Sequence, residues 1–158
     1  MNAKVVPFAQ MSRRKKRLPS FGTVLLYEDL KFGQRAWDFY EKLTRRFAGD
    51  FEFSHLMWSF SILREPESFE LAARSAADAH LLILACSGTT RLPSTMKDWL
   101  EQWARLATNT PAFVTLTNQK ANARAGAAMH SYLQKILTPH GIHLFPHGGS
   151  VSRVLHLE

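Results

Sequence analysis

The chain has 158 residues and a mass of 18.0 kDa, enough for one domain that builds its own apolar core without metal or disulfide support. Hydrophobic residues make up 46% and charged ones 21%, the balance of an ordinary soluble globular protein. A single cysteine, Cys86, excludes an internal disulfide framework and fits a reducing compartment.

The net charge of +7 is unevenly placed. Residues 1–19 carry Lys4, Arg13, Arg14, Lys15, Lys16 and Arg17 with no acid, which leaves only +1 for residues 20–158. The sequence therefore divides into a basic, flexible N-terminal arm (1–19) and a nearly neutral domain (20–158). The adjacent cations Arg13 to Arg17 suit contact with nucleic acid or an anionic surface through counterion release, although a short basic run is more simply a solvated arm. "SRRKKRL" is similar to a twin-arginine export signal. Pro19 and Gly22 interrupt the apolar stretch after it, Glu28 and Asp29 end that stretch, and no small-residue cleavage site follows. With no run of ~18 apolar residues to act as a transmembrane segment, the expectation is a cytoplasmic protein.

Beyond the arm, strand-like and helix-like segments alternate. "TVLLYEDL", Thr23 to Leu30, is an aliphatic strand closed by two acids. Ala36, Tyr40, Leu43 and Phe47 then recur at helical spacing, with Gly49 at the expected C-cap. Asp50 to Leu63 reads as a strand with an irregular extension, and Pro66 opens a helix with Phe69, Ala72, Ala73, Ala76 and Ala77 on one side. "HLLILAC", His80 to Cys86, is continuously apolar, as a strand covered on both faces must be. Met96, Trp99, Leu100, Trp103 and Leu106 form one helical face, with Ser94 or Thr95 as the expected cap. A fourth strand spans Pro111 to Thr117, a fourth helix carries Met129, Tyr132, Leu133, Ile136 and Leu137, and Gly141 to Pro146 is the fifth strand.

Five strands alternating with four helices imply right-handed crossovers and a parallel sheet. The fold expected is a single three-layer α/β/α domain of flavodoxin-like or receiver-like type, with sheet order 2-1-3-4-5. Its functional crevice would lie at the carboxyl ends of strands 1 and 3, where the winding reverses. Glu28 and Asp29 follow the first of these strands, and Ala85 to Thr90 end and follow the other.

From Thr23 to His147 this pattern resembles the receiver domain of two-component response regulators. The resemblance implies an acidic pair that holds a divalent cation (Glu28, Asp29), a hydroxyl after strand 4 (Thr117) and a proline after strand 5 (Pro146). It also implies a phosphoryl-accepting Asp and a Lys before that proline, where this chain has Ala85 and Phe145. Acyl-phosphate chemistry needs a carboxylate nucleophile. The chain therefore resembles a pseudo-receiver, a non-catalytic regulatory or protein-interaction domain in signal transduction. Self-association as a homodimer is expected of it, through apolar surface near strand 5 or helix 4 that the short C-terminal end leaves uncovered.

Other readings attach to the same residues. Glu28 and Asp29 are at most a weak Mg²⁺ site and no other cofactor is indicated, because two carboxylates alone hold such an ion poorly. Ser87, Gly88, Thr89 and Thr90 form a small-residue loop suited to an anion or a partner, without the spacing of a P-loop. Cys86 is a redox candidate or a buried small hydrophobe. His140, His143 and His147 suggest a zinc site only weakly: His143 and His147 are about 13 Å apart if the strand end is extended, a turn would have to bring them together, and no cysteine or carboxylate stands at useful spacing. Two different functions remain as alternatives: a flavodoxin-like ligand binder or enzyme using the crevice, and a nucleic-acid-associated protein acting through its arm. Flavin phosphate fits poorly with the first, since the acids of "YEDLKFGQ" would repel it.

Overall fold

In a computed structural model, residues 17–88, 91–109, 112–118 and 123–146 are described. Along the chain lie β1 (Ser20–Tyr27), α1 (Leu30–Arg46), β2 (Glu52–Ser59), α2 (Pro66–Ala76), β3 (Leu81–Ala85), α3 (Ser94–Leu106), β4 (Ala112–Leu116), α4 (Ala123–Leu137) and β5 (His143–Phe145). Single 3₁₀ turns at Ile62–Arg64 and Thr138–His140 complete the described elements. All strand pairs are parallel, in the order β2-β1-β3-β4-β5. That is the expected three-layer, flavodoxin-like arrangement.

The layers follow from strand alternation. Odd-numbered residues of β1 and β3, such as Leu25, Ile83 and Ala85, face α1 through Phe32, Ala36, Tyr40 and Leu43. Even-numbered residues, such as Val24, Leu26, Leu82 and Leu84, face α2, α3 and α4 through Ala72, Ala76, Trp99, Trp103 and Leu133. Every residue of β3 is buried, which explains why its sequence is continuously apolar while β2 is mixed. Trp103 donates its indole N–H to the Ala76 carbonyl at 2.9 Å and stacks on Trp99 at 6.2 Å. By contrast, the buried Trp99 Nε1, Trp58 Nε1 and Thr23 Oγ1 find no hydrogen-bond partner among the described residues.

Two expected caps are replaced. α1 is capped by Phe47, whose N–H reaches the Leu43 carbonyl, so Gly49 lies two residues beyond the cap. α3 begins one residue early, with Pro93 at the N-cap and no side-chain cap bond, because Ser94 and Thr95 are already helical. Among the described residues no helix is long and apolar enough to cross a membrane. Arg17, Leu18 and Pro19 are exposed, whereas Arg13, Arg14, Lys15 and Lys16 lie outside the described residues.

Candidate functional site

The carboxyl ends of β1 and β3 meet as the strand order requires. Tyr27 is in register with Ala85, and the Glu28 N–H donates to the Ala85 carbonyl at 3.0 Å. Both acids that follow β1 have structural partners. Glu28 Oε1 accepts from the Ser87 N–H at 2.9 Å, which ties the β3 loop to β1. Asp29 Oδ1 accepts from the Phe32 N–H at 3.2 Å and so caps α1. Among the described residues no three His, Cys, Asp or Glu side chains gather as a metal cluster. His140 and His143 are exposed, and His147 lies outside the described residues.

On the α1 side the crevice is apolar. Ala85 is 0% exposed and shares one buried cluster with Phe32, Leu116 and Phe145. Over the Phe32 ring lie Lys31 and Arg35, at 6.0 Å and 5.9 Å from its centroid. Arg35 also donates to the Thr117 carbonyl at 3.0 Å and so fastens α1 to the end of β4. Thr117 is buried, and Pro146 is exposed just beyond β5.

The opposite side of the same strand ends is open. A cleft of about 320 Å³ is lined by Glu28, Phe60, Ser61, Arg64, Pro93, Thr95 and Met96. Its floor is apolar, its rim carries one acid, one cation and two hydroxyls, and it lies at the topological switch point where ligands of doubly wound sheets sit. Of these residues the sequence singles out Glu28 alone. Phe60, Ser61 and Arg64 follow β2 and Pro93, Thr95 and Met96 follow β3, so the lining comes from the chain beyond the carboxyl ends of three neighbouring strands.

The β3 loop depends on backbone geometry. Ser87 accepts from the Asn118 N–H at 3.2 Å, and Gly88 is buried with φ 73°, a left-handed conformation natural to glycine. Thr89 and Thr90 lie outside the described residues. Cys86 is buried with its Sγ 3.8 Å from Met129 Sδ, the surroundings of a small hydrophobe. Burial pushes its thiol pKa from an ordinary 9.0 up to about 12, with the Gly88 N–H opposing and the Glu28 carboxylate adding to the rise.

That shift has a definite sign. The thiol stays protonated when folded and ionises once unfolded, so its contribution to stability is complete below pH 9 and is lost as pH climbs toward 12. Between pH 9 and 10, below the ordinary range of the phenols of Tyr40 and Tyr132, Cys86→Ala should flatten the fall in unfolding free energy. Urea titrations at half-unit pH steps measure this. An unchanged slope would show that the thiol titrates alike in both states.

Comparison with protein-family models, with curated proteins and with solved structures gives no match.

Proposed function

We propose that this chain is a receiver-like regulatory domain without phosphoryl-transfer chemistry, one that acts through contacts with protein partners, a second copy of itself included. The observation that carries the reading is Ala85. It stands at the end of β3, in register with Tyr27 and beside the Glu28 backbone, where a nucleophile would have to be. It is fully buried in the same apolar cluster as Phe32, Leu116 and Phe145. An acyl phosphate needs a carboxylate at such a point and a cation to offset its charge. Here the nearest acids are engaged in tying loop and helix together.

The test is incubation of the full chain with Mg²⁺ and a small phosphodonor such as acetyl phosphate. No base-labile phosphate should form, by intact-mass measurement before and after mild alkali. Label on Glu28 or Asp29 would overturn the reading.

The open cleft favours a second reading, a small-ligand binder. Arg64, Ser61 and Thr95 offer donors above an apolar floor of Phe60 and Met96, while Glu28 excludes a purely anionic ligand. A small molecule retained through native mass spectrometry would raise this reading above the first. The basic arm leaves room for a third role, nucleic-acid contact, whose signature is binding that weakens steeply with salt and disappears when residues 1–16 are removed.

A further inference from the structure

The two ends of the sheet differ. β5 has three residues, a length that by itself blunts an edge, whereas β2 has eight and includes no Lys, Pro or Gly. The direction of its backbone groups follows from two hydrogen bonds to β1, Glu52 N–H to the Pro19 carbonyl and Phe60 N–H to the Tyr27 carbonyl. In a parallel ladder these place every even-numbered residue of β2 toward β1. Phe53, His55, Met57 and Ser59 therefore turn their N–H and C=O groups outward. Among the described residues no strand pairs with them.

The same edge carries exposed apolar side chains. Leu56 is 42% exposed on the α2 face, Met57 is 37% exposed on the α1 face, and Ile62 and Leu71 are exposed beyond them. No large apolar side chain of β5 or described residue of α4 stands among the exposed ones.

We propose that the outer edge of β2 pairs antiparallel with β2 of a second copy, joining two five-stranded sheets into one. A two-fold axis normal to the sheet requires antiparallel strands and makes the contact self-complementary. Opposed residues must share a face, so the register is centred on one residue. Centring on Leu56 sets Leu56 against Leu56, Ser54 against Trp58, His55 against Met57 and Phe53 against Ser59. Every outward N–H and C=O of β2 then finds a partner, with His55–Met57 and Phe53–Ser59 as the hydrogen-bonded pairs. Centring on His55 would oppose two imidazoles and leave Ser59 unpaired. Glu52 is the only Asp, Glu, Lys or Arg of β2, and it falls opposite Phe60, so no two carboxylates meet. The two Glu52 residues lie at opposite ends of the joint, about 26 Å apart along the strands at ~3.3 Å per residue. That separation exceeds the Debye length of roughly 8 Å at physiological salt, so the two Glu52 carboxylates do not oppose pairing.

The test uses the full chain and two independent readouts. Sedimentation equilibrium should give a reversible species of twice the 18.0 kDa chain mass. Leu56→Lys, which sets two cations face to face on the axis, should weaken the dimer at least tenfold while leaving the circular dichroism spectrum unchanged. His55→Pro removes an outward N–H that the monomer does not use and should act likewise. Leu56→Cys should form an intermolecular disulfide rapidly under mild oxidation, since non-hydrogen-bonded antiparallel pairs bring Cα atoms to about 4.5 Å. Met57→Cys, which faces His55 of the other copy, should not. A chain that stays monomeric at millimolar concentration overturns the proposal, as does a dimer unaffected by Leu56→Lys and His55→Pro. Equal crosslinking of the two cysteine variants overturns the register.

Discussion

Trp103→Ala should cost roughly 3–5 kcal/mol, a large part of the about 5–15 kcal/mol that holds a domain of this kind folded. Trp103 is fully buried, stacks on Trp99, and contacts Phe113 of β4 with ring centroids 6.0 Å apart. Its indole N–H is bonded to the Ala76 carbonyl at the last turn of α2, so one side chain joins α3, α2 and the sheet. Replacement by phenylalanine separates packing from hydrogen bonding. Trp103→Phe and Trp99→Phe remove similar apolar volume, but only the first loses a hydrogen bond, while the second removes a buried N–H without a partner among the described residues. Trp103→Phe should therefore be the more destabilising by about 1–3 kcal/mol. Urea unfolding followed by circular dichroism reads the difference as a shift in midpoint at constant slope. Equal midpoints for the two phenylalanine variants would mean that the Ala76 bond adds nothing.

Ala85→Asp should be nearly as damaging, at roughly 3–5 kcal/mol, because it places an unpaired carboxylate in a fully buried apolar cluster. Phe145→Lys alone should cost a similar amount, from lost ring burial and an unpaired cation in the same cluster. Combined, the two changes supply each other's counter-charge. The double variant should then be more stable than the sum of the single effects by about 1–3 kcal/mol. On the receiver-like reading proposed above, it should also gain some capacity to take phosphate from a small donor. A folded double variant that shows strict additivity and accepts no phosphate would separate Ala85 from Phe145. The small-ligand reading of the open cleft would then come first.

The fold was legible because each of its determinants is local. Apolar residues at every position of His80 to Cys86, and at helical spacing from Met96 to Trp103, identify a doubly covered strand and a one-sided helix wherever they lie in space. Alternation of such segments, with right-handed crossovers, leaves few sheet orders open. The crevice could be placed from that order alone, with Glu28, Asp29 and Ala85 beside it. The duties of those residues could not. Glu28 is committed to an N–H 59 residues away, and Arg35 to a carbonyl 82 residues away. A carboxylate or guanidinium carries no mark in the sequence of which distant backbone group will satisfy it. The same holds for the caps: Ser94 and Thr95 have the chemistry of a helix cap, yet packing of Met96 and Trp99 sets the helix phase and draws both into its first turn. The uncovered edge is a tertiary fact of another kind. "EFSHLMWS" has the composition of a paired strand, and only the sheet order, which leaves β2 outermost with half its backbone groups turned to solvent, decides that one side of it has no partner within the described fold.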